Sequence, residues 1–182
     1  MNAIDVLVII LLCLGTLVGF FHGLLRTVFH VVLLYGTTVI AAFGYPVVAR
    51  GIGFIAPDTS WQLRQAVAFL FLLLLVFNMV AFGMRQPFKQ RKLLIPAVFD
   101  KIGGMVVGFF LSCLWIGIGL ILADFLLSVS WVNWEPLRYY IYYGVQASAF
   151  AGLVRGILPY ALETLKPWFA AFGGLPQLFV IR

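Results

Sequence analysis

The stretch IDVLVIILLCLGTLVGFF, from Ile4 to Phe21, decides the fold class of this chain. Its only charged residue is Asp5, near its start, and almost every other side chain is apolar. A helix needs about 20 apolar residues to cross a hydrocarbon core of about 30 Å, so this stretch predicts a transmembrane span. Three further runs of the same kind follow it. We therefore predict four spans, over about 4–21, 24–48, 65–84 and 102–127.

The composition of the whole chain agrees with this interpretation. Of 182 residues, 64% are hydrophobic and 10% are charged, and the mean hydropathy is +1.10. A water-soluble domain has about 45–50% apolar and about 25% charged residues. We therefore predict an all-α membrane protein with a four-helix transmembrane domain over 1–127 and an aromatic-rich tail over 128–182.

The basic residues indicate how the spans are oriented. Five of the twelve lie in the connection between the third and fourth runs, which the positive-inside rule places in the cytoplasm. Six basic residues then flank the spans on the inside, and three flank them on the outside. The inner residues are Arg26, Arg85, Lys89, Arg91, Lys92 and Lys101, and the outer residues are Arg50, Arg64 and Arg138. This predicts that both termini face away from the cytoplasm.

The net charge of +6 therefore indicates membrane orientation rather than nucleic-acid binding. Four of the basic residues form a loop that we expect to lie against anionic lipids of the inner leaflet. These residues are Arg85, Lys89, Arg91 and Lys92. A role in setting the orientation of the spans would by itself explain most of these basic residues. Orientation and lipid binding therefore both stay open as interpretations. Membrane lipids are the partners that the sequence predicts most directly.

The tail after residue 128 is rich in tryptophan and tyrosine, which favour the level of the lipid headgroups. We therefore predict one or two interfacial helices on the extracytoplasmic side. The alternative is a fifth span over 139–154, which would bring the C-terminus to the cytoplasm. That stretch has only 16 residues, includes Gln146 and follows Arg138 closely.

Small residues recur at every fourth position of spans one and four. The six residues are Gly15, Gly19 and Gly23 in span one, and Gly104, Gly108 and Ser112 in span four. In lipid, such spacing marks faces where helix backbones approach closely. We expect these faces to be helix-packing surfaces, either inside one bundle or between copies in a homo-oligomer.

Ionisable residues near the cytoplasmic ends of the spans are candidates for a site. Arg26 and Asp100 fall at the same predicted depth, so we expect an ion pair between spans two and four. The alternatives are a gate or docking site for a cytoplasmic partner, or an Arg26 side chain that reaches the headgroups. His22 and His30 stand eight residues apart, about 12 Å along a helix, so we expect no metal shared between them.

Catalytic signatures are missing from the sequence. There is no G-x-S-x-G nucleophile turn, no H-E-x-x-H zinc motif and no phosphate-binding G-x-x-x-x-G-K-[ST] loop. The two cysteines, Cys13 and Cys113, lie inside apolar runs and form no C-x-x-C pattern. We therefore predict that the protein is not an enzyme and uses no cofactor and no metal.

Two stretches resemble the bacterial colicin V production protein family, usually called CvpA. Residues 19–26, GFFHGLLR, match the family's G-F-x-x-G-x-x-R, and Ile4-Asp5 precede them at the head of span one. Residues 99–104, FDKIGG, with Gly108, match its apolar-D-[RK]-x-x-G-x-x-x-G. The likeness covers roughly residues 1 to 160, and the chain departs from it at His22, where a basic residue is more usual. It implies a protein of the bacterial cytoplasmic membrane, associated with toxin production or export and with envelope homeostasis.

Two functions are compatible with these features. The first is a non-enzymatic scaffold or accessory subunit that packs through its glycine faces and recruits partners into a larger membrane complex. The alternative is a small oligomeric channel or transporter subunit. Arg26, His30, Asn78 and Asp124 are the strongly polar residues in or near the spans, and no continuous polar stripe is visible in spans one, three or four. The sequence therefore favours the scaffold.

Overall fold

The computed structural model describes residues 2–57, 59–84, 97–128 and 135–171. Within these ranges the chain forms six helices and no strand. The helices are α1 (Ala3–His22), α2 (Leu24–Ile55), α3 (Trp61–Gly83), α4 (Ala97–Leu127), α5 (Glu135–Gln146) and α6 (Ala149–Ala171). Helices α1 to α4 are long and apolar enough to cross a membrane, which confirms the four predicted spans. The chain is an all-α, multi-pass membrane protein.

Three of the four spanning helices extend beyond the predicted spans by several residues. Helix α2 continues past residue 48 to Ile55 although Pro46 lies inside it. Proline removes one backbone hydrogen bond, and transmembrane helices tolerate this where neighbouring groups compensate. Helices α3 and α4 begin four and five residues earlier than predicted. Asp100 lies in the first turn of α4, where a negative charge is favourable.

The spanning helices pack into one bundle. Helix α1 lies along α4, and α2 lies along both α3 and α4. The main core contains fully buried side chains such as Leu34, Phe69 and Leu73, with Ile121 of α4 beside them. Many leucines on the outer sides of α1 and α3 are exposed, as expected of helices that face lipid.

The tail folds back onto this bundle. Helix α6 contributes Leu158, Leu165 and Phe169 to the main core, so one of its faces packs against the spanning helices. Residues 147 and 148 interrupt the helix, and α5 and α6 meet there at an angle of 72°. The alternative span over 139–154 therefore does not form as one continuous helix. The sequence predicts one or two helices in this tail and the structure has two, whereas their location at the membrane interface stays a prediction.

Candidate functional site at the basic end of the bundle

The turn between α1 and α2 is built around Gly23. Its φ of 78° lies in the left-handed region, which glycine adopts without strain. A Cβ atom on Gly23 would also lie 2.8 Å from Cγ of Asp100, so there is no space for a side chain. Asp100 Oδ1 accepts a hydrogen bond from the backbone N–H of Leu24 at 2.8 Å. The first residues of α4 thus close the α1–α2 turn.

The six small residues identified in the sequence meet along the contact between α1 and α4. A Cβ atom on Gly19 would lie 2.7 Å from Cα of Gly108, and one on Gly108 would lie 2.8 Å from the carbonyl oxygen of Gly15. Ser112 lies against Gly15, and Gly104 lies against Gly19 and Gly23. Backbone thus meets backbone within a single chain. A homo-oligomer is not required to bring these residues together.

Arg26 and Asp100 do not form the expected ion pair. Asp100 accepts the Leu24 N–H instead, and the guanidinium of Arg26 has no ion pair or hydrogen bond to another residue in the described ranges. The prediction failed because it considered only charge and depth. The first backbone N–H groups of a helix have no partner within that helix, and Asp100 satisfies one of them.

The two histidines lie together, contrary to the sequence prediction. The rings of His22 and His30 are 5.8 Å apart, centroid to centroid. The estimate of about 12 Å assumed one continuous helix. Because the chain reverses at Gly23, His22 ends α1 and His30 lies two turns into the antiparallel α2. The ring of His30 also contacts Phe77 of α3, with centroids 5.9 Å apart.

Hydrogen bonds determine which ring nitrogen each histidine presents. Nδ1 of His22 lies 2.8 Å from the carbonyl oxygen of Val18, and Nδ1 of His30 lies 2.7 Å from that of Arg26. A carbonyl oxygen only accepts, so each Nδ1 carries the proton and donates it. Each Nε2 makes no hydrogen bond to the described part of the chain. In the neutral form of each ring, Nε2 is therefore an acceptor.

The histidines lie at one end of an apolar groove of about 730 Å³. The groove runs beside α1 from Ile4 to His22, and α4 supplies most of its other wall. Its lining includes Val18, Leu111 and Trp115, while Thr27, His30 and Phe77 line it near His22. We call the end marked by His22, Arg26 and Lys101 the basic end.

The opposite end of the bundle holds polar contacts that the sequence analysis missed. Asp5 accepts hydrogen bonds from the hydroxyl of Ser148 at 2.6 Å and from the backbone N–H of Phe150 at 3.4 Å. Asp124 accepts two bonds from Arg155 Nη2, at 2.7 and 3.0 Å. We call this the Asp5 end. A serine just before a helix was the available signal, because serine favours N-cap positions.

Other candidate residues are placed as follows. Asn78 donates to the carbonyl oxygen of Leu74 in its own helix, at 2.8 Å. Arg85, Lys89, Arg91 and Lys92 lie outside the described residues. Within the described ranges, no group of three or more histidine, cysteine, aspartate or glutamate side chains could hold a metal ion.

Comparison with known proteins gives one match. The family model described as Colicin V production protein matches residues 4–159, which is most of the chain. The matched region contains both sequence stretches that meet at Gly23 and Asp100. No curated protein and no solved structure matches the chain.

Proposed function

Because the chain belongs to the Colicin V production protein family, which supports a role in toxin production, we propose that it is a non-enzymatic scaffold or accessory subunit. In this proposal it lies in the bacterial cytoplasmic membrane, with the basic end toward the cytoplasm and both termini outside. It recruits partners for toxin production or export, and for maintenance of the envelope. The positive-inside rule supports the orientation.

The contacts of three aspartates favour a scaffold over a channel, because each aspartate joins two parts of the fold. Asp100 accepts the Leu24 N–H, Asp5 binds Ser148, and Asp124 binds Arg155. A polar side chain within a membrane is costly, and a pathway for ions or protons uses such groups as its lining. Here these groups connect one helix to another. The polar side chains of the groove are concentrated near its basic end, which does not resemble a continuous path.

Reconstitution separates the scaffold from the channel or transporter. Cells that lack the chain but make the toxin should release less of it, and the wild-type chain should restore release. The purified chain, alone in proteoliposomes, should then transport neither the toxin peptide nor small ions. Transport by the purified chain alone would contradict the proposal. Full toxin release without the chain would contradict a role in production or export.

A matched pair of variants links the release assay to the fold. Gly108→Leu should reduce toxin release because it separates α1 from α4, where no space exists for a side chain. Leu74→Ala should preserve release, because Leu74 is 42% exposed on the outer side of α3. Equal release by both variants would show that the α1–α4 contact is not needed for this role.

A further inference from the structure

The two ends of the groove beside α1 differ in the charged side chains that lie near them. At one end of the bundle Asp5 is hydrogen-bonded to Ser148 and Asp124 is paired with Arg155, whereas Arg26 and Lys101 at the other end have no ion pair in the described ranges. Between the ends the groove is lined mainly by leucine, valine and isoleucine side chains. Its occupant should therefore be a long apolar molecule with an anionic group at the basic end. A membrane phospholipid with a negative headgroup has this pattern.

We infer that the groove binds one anionic phospholipid, with its headgroup at Arg26, His22 and His30 and an acyl chain along α1 and α4. This inference is independent of the proposed scaffold role, because it concerns only lipid chemistry. The length is sufficient: Ile4 to His22 spans about 27 Å, and one leaflet provides about 15 Å of hydrocarbon. The volume of about 730 Å³ is also in the usual range of ligand sites, about 300–1,000 Å³.

The side chains at the basic end suit a phosphate with hydroxyl groups beside it. Arg26 lies one helical turn before His30 on the same side of α2, and its guanidinium is free of other described partners. A guanidinium binds phosphate oxygens with two parallel hydrogen bonds. The two acceptor nitrogens, Nε2 of His22 and Nε2 of His30, are suited to headgroup hydroxyls. Phosphatidylglycerol carries both groups, so it is the occupant to which we commit.

A helix from a second copy of the chain is the competing occupant. Helix pairs in lipid approach through small residues. The small residues of this groove, Gly15, Gly19, Gly108 and Ser112, are already used in the contact between α1 and α4. A second helix would also gain little from polar side chains concentrated at one end. The pattern therefore favours a lipid.

The headgroup can be tested with the full chain, purified in a non-ionic detergent. Native mass spectrometry counts bound lipid after addition of phosphatidylglycerol or phosphatidylcholine with the same acyl chains. The wild-type chain should bind phosphatidylglycerol about fivefold more tightly. Arg26→Gln should reduce this preference. The double variant His22→Phe/His30→Phe should also reduce it, since phenylalanine retains the ring contacts and removes the acceptors.

Lys101→Gln is the matched control for Arg26→Gln. Lys101 lies at the same end of the bundle with its Nζ over the ring of Phe20, 5.6 Å from the centroid, and Phe20 does not line the groove. Arg26 does not line the groove itself, but it lies one helical turn from His30, which does. This variant removes the same charge and should retain the preference for phosphatidylglycerol. Equal binding of both lipids by the wild-type chain would overturn the inference. So would equal effects of Lys101→Gln and Arg26→Gln, which would indicate general attraction to a basic surface.

The acyl chain is tested by two adjacent positions of α1. Val18 and Leu17 are 51% and 53% exposed, but only Val18 lines the groove. Val18→Phe should fill the groove and lower the binding of both lipids without a change in preference, whereas Leu17→Phe should leave binding unchanged. Equal binding by both variants would overturn the inference. A mass of two copies in the wild type that falls to one copy in Val18→Phe would assign the groove to a second chain.

Discussion

Asp100 binds a backbone group that lies 76 residues earlier in the chain. Helix α2 begins after Gly23, and glycine has no side chain with which to cap the helix. A carboxylate from α4 supplies the missing acceptor at the N-terminus of α2, where its charge is also favourable. Leu24 and Asp100 each lie in one of the two stretches that resemble the family. Each stretch contains one part of the same contact.

Asp100→Ala should lower the free energy of unfolding by about 1 kcal/mol, the usual cost of losing a helix cap. Asp100→Asn retains an acceptor oxygen and should lose less. Thermal unfolding in detergent measures both effects. Glu163→Ala is the control, because Glu163 pairs with Lys166 at an exposed position.

The exchange Arg26→Asp/Asp100→Arg should not restore the stability lost in Asp100→Arg. Recovery would show that Arg26 and Asp100 act as an ion pair after all.

At the scale of elements, the contact between α1 and α4 depends on glycines, which have no side chain to keep the two backbones apart. Gly19→Leu should destabilise the bundle by about 1–3 kcal/mol, because α4 backbone occupies the space of the new side chain. Gly36→Leu is the matched control: Gly36 lies within α2, and a Cβ atom there would meet nothing within 4 Å. Thermal unfolding and light scattering should show lower stability at unchanged mass for Gly19→Leu. Altered mass at unchanged stability would assign this face to an oligomer.

Run length and hydropathy were sufficient to predict the four spans, because each span must hold about 20 apolar residues. They did not predict that α3 and α4 begin four and five residues earlier, or that α2 continues to Ile55. The two histidines appeared remote because their separation was estimated along one continuous helix, although the predicted spans 4–21 and 24–48 already reverse the chain between them. The contacts of Asp5 with Ser148 and of Asp124 with Arg155 join residues far apart in sequence. The spacing of residues along a single helix does not indicate which residues of other helices they contact.

At the scale of the whole molecule, α6 joins three spanning helices. Its N-terminus binds Asp5 of α1, its Arg155 binds Asp124 of α4, and its Thr164 donates to the hydroxyl of Tyr35 of α2 at 3.1 Å. The tail is therefore attached to the bundle along much of its second helix. Its side of the membrane depends on the orientation of the spans, and that orientation stays a prediction.

The orientation can be measured with introduced cysteines. Gln90→Cys lies in the basic segment after α3, and Ala170→Cys lies near the end of α6, each in a background without Cys13 and Cys113. An impermeant thiol reagent should label only position 170 in intact cells, because the positive-inside rule keeps the basic segment in the cytoplasm. A permeant reagent should label both positions, which shows that each thiol is reactive. Labelling of position 90 by the impermeant reagent would place the basic end outside, and the proposed orientation would be wrong.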